Sequence, residues 1–290
     1  MNWITEIVDW FLSLFGGSRI KAVTIGDHCY MPLFYRNLSG AIDATWNYLS
    51  KADGEKQHLR NHIQSNAQSG ETPAICFCLT PQNINGGLVD NKMLAVTDGM
   101  LDYLESKCSE LVKDGIAVFL CLYVDDSAPR WWEIERHTGV WKRIHERVGG
   151  YVTGYILSIE ANEYANNANQ LLGCINVMRA WMAGVAYYGI HLQWQANNGR
   201  YSWRGIGSLP SSANVVLAEY SWDPRSGNAI SEDVFRAQCR AITSANPGVK
   251  IVHNEFNLDM LGARGKRQTE ILREEGVWGV AKVKTDEVSV

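Results

Sequence analysis

The chain has 290 residues, 46% of them hydrophobic, with 27 basic and 31 acidic residues and a formal net charge of −4. That composition is rich enough in apolar residues for a large buried core, and it excludes a disordered or collagen-like chain. The slightly acidic balance argues against a nucleic-acid partner, because phosphate binding needs a basic face.

The first segment, MNWITEIVDWFLSLFGG, places Trp3, Ile7, Trp10, Leu14 and Phe15 at helical spacing. Residues 1–17 are therefore expected to form an amphipathic helix docked on the domain. Contact with a membrane surface or a protein is the alternative use of such a helix. The segment carries Glu6 and Asp9 and no Lys or Arg before Arg19, so it makes a poor signal peptide. It is also too short to span a bilayer.

From residue 18 onward short apolar runs alternate with longer helical patterns. The expected strands are 20–28, 73–81, 116–126, 153–163, 190–198, 214–224, 249–259 and 277–283. Gly115, Gly189, Gly248 and Gly276 stand where the intervening helices should stop. No Pro, Gly or Ser linker divides the chain, so residues 18–290 read as one domain. Eight strand–helix units over about 270 residues is the count of an α/β fold of the (β/α)8 TIM-barrel type. The sequence contains no GxGxxG turn, no P-loop and no GxSxG elbow.

The seven cysteines follow no regular spacing. Cys76 and Cys78 in AICFCL share one face of a buried strand, without a second pair to complete a zinc site. His58 and His62 in HLRNH have metal spacing on a helix, but no third ligand accompanies them, and a solvated face is the simpler reading. No metal and no cofactor is expected. Scattered single thiols suit a reducing compartment and synthesis in the cytoplasm.

In a TIM barrel the chemistry sits at the C-terminal ends of the strands. The expected strand ends gather Asp27 and His28, Gln82, Asp125 and Asp126, Glu160 and Glu163, Gln195 and Asn197, Glu219 and Tyr220, and Glu255 and Asn257. So many carboxylates in one ring are costly unless they are used or paired. Trp131, Trp132, Trp194, Trp203 and Trp222 also end or follow strands. Flat rings in those places suit a cleft that stacks on sugars. Arg264, Lys266 and Arg267 in GARGKRQ could contact an acidic group or simply form a solvated first turn.

Two of these strand ends carry a resemblance. ILSIEANEY resembles the fourth-strand motif of the retaining glycoside hydrolases of the cellulase, mannanase and β-galactosidase clan, where Asn-Glu closes the strand. IVHNEFN resembles their seventh-strand motif, an apolar run ending in Glu. The resemblance implies a TIM barrel that cleaves a β-linked glycan with two glutamates. It implies Glu163 as acid/base, Asn162 as the amide that binds the 2-hydroxyl, and Glu255 as nucleophile. Tyr220 would hydrogen-bond the nucleophile. Glu219, Asp125, Trp194 and Trp222 would line the substrate cleft.

The sequence departs from the clan pattern in three places. Tyr164 stands where Pro usually follows Asn-Glu, no Arg closes the second strand, and no Trp closes the eighth. These departures keep a rival reading open, a glycan-binding or structural protein on a barrel scaffold. A lysozyme-like cell-wall hydrolase is a third. Glu160 competes with Glu163, since residues three apart on a regular strand face opposite ways.

Overall fold

The computed structural model describes residues 21–31, 33–34, 60–61, 63–65, 67–79, 96–123, 135, 137–159, 161, 168–197, 200–220, 231–254 and 263–280. In chain order the strands are β1 (His28–Tyr30), β2 (Leu33–Phe34), β3 (Glu71–Cys78), β4 (Ala117–Tyr123), β5 (Val152–Ser158), β6 (Tyr187–Asn197), β7 (Arg200–Trp203), β8 (Val215–Tyr220), β9 (Lys250–Asn254) and β10 (Gly279–Val280). The helices are α1 (Asp98–Lys113), α2 (Thr138–Val148), α3 (Ala168–Trp181), α4 (Glu232–Ala245) and α5 (Ala263–Glu274).

Eight of these strands form a closed parallel barrel in the order β1, β3, β4, β5, β6, β8, β9, β10, because β1 pairs with both β3 and β10. β2 pairs parallel with β3 at Cys76 and Phe77, beyond the residues that β1 takes, and β7 pairs antiparallel with β6 outside the ring. The expected TIM barrel is therefore the observed architecture, and each of the eight expected strands overlaps an observed one, the first by His28 alone.

The first strand is the one most displaced from its expected place. Residues 21–26 carry no regular structure, and β1 begins at His28, opposite Glu71, the first residue of β3. Asp27 and His28 therefore lie at the N-terminal end of the barrel and not at its mouth. The apolar alternation of Val23 and Ile25 has another origin. Both pack against the barrel interior, while Ala22 donates to the Gly150 carbonyl at 2.9 Å and Thr153 Oγ1 to the Val23 carbonyl at 2.8 Å. The segment closes the bottom of the barrel.

Alternation along each strand separates two cores. Cys29, Ala74, Cys76, Phe119, Cys121, Ile156, Leu217 and Val252 fill the interior. Ile75, Phe77, Leu120, Tyr155, Ile190, Val216 and Ile251 face the helices. Rings fill the lower interior: Phe119 stacks on Tyr187 at 5.9 Å, and Tyr187 lies 5.1 Å from Trp278. Glycine makes the room. A Cβ on Gly154 would stand 2.5 Å from the Phe119 ring, and one on Gly189 would stand 2.5 Å from the Val215 carbonyl oxygen. Gly189 thus belongs inside β6 and is not a helix stop. The preceding helix ends at Trp181, and Gly184 supplies the left-handed residue, at φ 101°.

Burial raises the thiols of Cys29 and Cys76, and it pushes those of Cys108 and Cys174 up to about 12. They behave as small apolar groups, not nucleophiles.

On the outside, Ser231 caps α4 by accepting from the Val234 amide, and Thr97 caps α1 through the Met100 amide. Arg236 and Arg267 bind Glu232 and Glu274 between α4 and α5. Arg267, one of the three basic residues in GARGKRQ, is thereby engaged in a structural ion-pair network. At the barrel bottom Arg273 of α5 grips Glu71 with two bonds of 2.6 and 2.7 Å.

Two predictions follow from this packing. Gly189→Ala should destabilise the protein by about 1–3 kcal/mol in urea unfolding, because the new methyl meets backbone. Gly173→Ala, on the open face of α3 where nothing lies within 4 Å, should stabilise it by about 0.5–1 kcal/mol.

The second concerns Glu71. Burial raises its pKa, but the Arg273 guanidinium and the Gln68 amide outweigh that and hold it below the usual carboxylate value. A depressed folded pKa contributes stability above the unfolded value, and that stability is lost as pH falls through the folded one. Glu71→Gln should cost about 1–2 kcal/mol at pH 7, the low end for a charged pair that keeps some solvent contact. The gap between parent and variant should close below about pH 4.

Candidate active site

The mouth lies where the strands end in Tyr123, Ser158, Asn197, Tyr220 and Asn254. Interior-facing positions can be followed up each strand to this rim. On β5 the series Gly154, Ile156 ends at Ser158, a buried hydroxyl that donates to the Ile159 carbonyl at 2.8 Å. On β6 the series Tyr187, Gly189 continues to His191, which is fully buried, and then to Gln193 at the rim. On β8 the series Val215, Leu217 leads to Glu219, which is half-buried. On β9 Val252 leads to position 254.

Register then fixes who stands beside whom. Gln193 is opposite Glu219, and Glu219 is opposite Asn254. The interior face of β8 thus ends in a carboxylate, directly opposite the last residue of β9. Position 220 alternates with Glu219 and falls in line with Val216 and Ala218, which belong to the outer core. On β8, therefore, the strand register puts Glu219 on the barrel axis and Tyr220 at the alternate position.

Several aromatic and imidazole groups near the rim turn outward. Trp194, assigned to the cleft on sequence grounds, is 5% exposed and meets Trp203 edge to face at 4.8 Å. Trp203 in turn donates from Nε1 to Asn246 Oδ1 at 3.2 Å. Both rings belong to the outer core, and the Trp203 indole reaches the residue that caps α4. His253 also turns outward, edge-on to Phe235 at 5.7 Å. On β4 the buried Tyr123 hydroxyl accepts from Trp141 Nε1 at 3.0 Å. Burial raises the Tyr123 pKa well above that of a free phenol. It anchors the strand end that precedes Asp125.

Asp125, Glu160, Asn162, Glu163, Trp222 and Glu255 lie outside the described residues, as do Trp131, Trp132, His58, His62 and the segment 3–15. Among the described residues no group of three or more His, Cys, Asp or Glu could hold a metal ion, and no helix is long and apolar enough to cross a membrane.

Three described residues at the rim were missed by the motif reading: His191, Gln193 and Arg204. The signal for the first two was the two-residue repeat in HLQWQAN, which places polar groups on every second position of one strand; no such repeat marks Arg204. Arg204 follows β7; its amide donates to the Gln193 carbonyl at 2.9 Å and its guanidinium to Gln193 Oε1.

No protein-family model matches the sequence, and no curated protein matches it. Solved structures do resemble the fold. An endo-1,4-β-mannanase from Rhizomucor miehei aligns over 90% of this chain and 86% of its own, with a TM-score of 0.59 and 10% identity. A GH5_18 protein from Bifidobacterium longum, solved with Manβ1-4GlcNAc, aligns over 88% of this chain and 69% of its own, with a TM-score of 0.57 and 12% identity. A β-glucosidase from Thermotoga maritima aligns over 90% of this chain and 89% of its own, with a TM-score of 0.52 and 12% identity. At such identities the likeness is one of fold: this chain has the barrel that those glycoside hydrolases use.

The Tyr123–Trp141 bond gives the site its own prediction. Tyr123→Phe leaves a buried indole N–H without its acceptor. The variant should lose about 1–3 kcal/mol in urea unfolding, with a pH-independent difference from pH 5 to 8.

Proposed function

We propose that the protein is a retaining glycoside hydrolase that cleaves a β-linked glycan with Glu163 and Glu255. One coincidence of sequence and topology carries the reading. Asn162 and Glu163 follow β5, the fourth barrel strand, and Glu255 directly follows Asn254, the last residue of β9, the seventh. That is the strand order of the two glutamates in the clan the sequence resembles, on a fold that glycoside hydrolases share.

The chemistry needs one carboxylate protonated and one ionised, about 5–5.5 Å apart for retention. Glu255 attacks the anomeric carbon while Glu163 gives its proton to the departing oxygen. A glycosyl ester on Glu255 results. Glu163, now ionised, takes a proton from water, and the water oxygen breaks the ester and restores Glu255. Asn162 would bind the 2-hydroxyl beside the reacting carbon. Glu219 stands next to the β9 strand end and would accept from a sugar hydroxyl. Asp125 and Trp222 would serve as further cleft contacts. No step requires a metal.

The absence of a Pro after Asn-Glu and of an Arg closing the second strand supports a second reading, a glycan-binding protein without turnover. The test separates the two. Glu163→Gln should slow hydrolysis of a natural β-glycan by about 10²–10⁴-fold. With an activated aryl glycoside it should still form the glycosyl-enzyme, and azide should restore turnover. Glu255→Gln should lose activity on both substrates, with no azide response. A parent protein that binds β-linked oligosaccharides and turns over none would assign it to the binding class. Variants as active as the parent would move the chemistry to Glu160 or Glu219.

A further inference from the structure

The helical shell leaves apolar surface in water at the base of the barrel. α3 ends at Trp181, which is 46% exposed, the most exposed large hydrophobic among the described residues. The run from Ala180 to Ala186, AWMAGVA, contains no charged side chain. Within it Ala180, Ala183, Gly184 and Ala186 are exposed as well, and Val185 is half-buried. Single exposed apolar residues are ordinary, but a contiguous run led by an indole marks a surface that something covers. The run is also fixed in place. Met182 is buried, and its carbonyl accepts from the Tyr188 hydroxyl at 2.8 Å.

One segment of this chain arrives beside that surface. Thr153 of β5 holds both: its carbonyl accepts from the Ala186 amide at 3.2 Å, and its hydroxyl donates to the Val23 carbonyl at 2.8 Å. One residue before Val23, the Ala22 amide donates to the Gly150 carbonyl at 2.9 Å. The chain therefore enters the barrel base next to the end of the exposed run. Residues 1–20 precede the first described residue, Lys21. Their sequence sets Trp3, Ile7, Trp10 and Leu14 at the spacing of one helical face. Residues 16–20 are a tether of at most about 17 Å from that segment to the point of entry. So short a tether gives the segment an effective concentration of about a millimolar at the face. No Lys or Arg precedes Arg19, so nothing in the segment draws it to an anionic lipid surface.

We propose that residues 3–15 dock as an amphipathic helix on this face, laying Trp3, Ile7, Trp10 and Leu14 against Trp181 and the run that follows it. A helix of that length is about 20 Å long, enough to cross the end of α3 and reach α2. The charges agree with this placement. Glu6 is three residues from Trp3 and four from Trp10, so it borders the apolar side of the segment. Lys142 of α2 borders the barrel face, its ammonium 6.0 Å from the centre of the Trp181 ring and 3.7 Å from Glu146. The face lies at the opposite end of the barrel from the mouth, so the docking stands apart from the hydrolase reading.

The test is photocrosslinking in the whole chain, with Trp181→benzoylphenylalanine as the reactive position. Trypsin cleavage after Arg19 releases residues 1–19 as one peptide, so mass spectrometry reads whether that segment was touched. It should be the main partner. The same group at Met100, exposed on α1, should capture it about tenfold less well. Trp10→Asp should lower the yield from position 181 about tenfold or more, because the contact would then bury a carboxylate. Thr5→Asp, the same charge on the other side of the segment, should leave the yield as in the parent. Ala183→benzoylphenylalanine repeats the measurement from a second position of the face if the first variant folds poorly. Circular dichroism melts report the folding of each variant.

A mixture of heavy-isotope and ordinary chains separates the possible covers. Crosslinks within single chains support the proposal; crosslinks between heavy and ordinary chains would give the face to a second copy and overturn it. No capture of residues 1–19 from either position of the face would overturn it too. If such a chain then sediments with phosphatidylcholine vesicles and Trp10→Asp does not, the segment belongs to a membrane surface. Equal capture from positions 181 and 100 would mark random collision, and equal loss in Trp10→Asp and Thr5→Asp a general charge effect. Either result would sink the docking and leave the hydrolase reading untouched.

Discussion

Closure of the barrel through a three-residue strand is the constraint on which the rest of the structure depends. β1 donates from Cys29 to the Trp278 carbonyl and from Met31 to the Val280 carbonyl, and it pairs in register with β3 on its other side. With both neighbours present the sheet has no free edge. Every strand must then divide its side chains between a closed interior and a helical shell. Which residues meet at the mouth is a consequence of that division.

The interior is narrow, and its contents show how narrow. Glycine stands at 154, 189 and 279, facing Phe119, Val215 and Cys29. The middle layer is thiols, alanines and aliphatic side chains, and rings fill the base with Val23 and Ile25 beneath them. Among the described residues, Glu71 and Arg273 at the bottom are paired with each other. Lys250 and Trp278 meet there only as a cation over a ring, at 5.7 Å. Polar interior positions begin at His191 and Ser158 and multiply toward the C-terminal rim. The packed base and the polar mouth are two ends of the same columns of residues.

The outer shell performs a different task, fixing the rim from behind. Tyr123 is tied to Trp141 of α2, Trp203 to Asn246 just past α4, and Tyr155 to His145 of α2 at 3.1 Å. Strand ends and the hairpin are therefore held by buried hydrogen bonds at their backs while their fronts face the mouth. Backs tied down in this way hold Gln193 and Glu219 in fixed places at the mouth.

The sequence by itself determined the number and order of the barrel strands. Apolar runs of strand length, separated by helical patterns and ended by Gly115, Gly248 and Gly276, are local signals, and those three glycines do take left-handed angles. The likeness of ILSIEANEY and IVHNEFN to clan motifs is local too, and it could be read before any coordinates. Closure decided the remainder. The run 20–28 looked like a strand because Val23 and Ile25 are apolar. Only the closed ring shows that they plug its base. Gly189 looked like a helix stop, but it is required where β6 meets Val215. Trp194 looked like a cleft residue because it ends a strand, yet the face it occupies follows from the alternation that puts His191 and Gln193 inside. Arg204 follows a short strand that the periodicity did not mark, and its place at the rim exists only because β7 folds back on β6. A residue's type and its place along a strand can be read from the chain. Which side of the sheet it faces is set by pairing with strands that are distant in sequence.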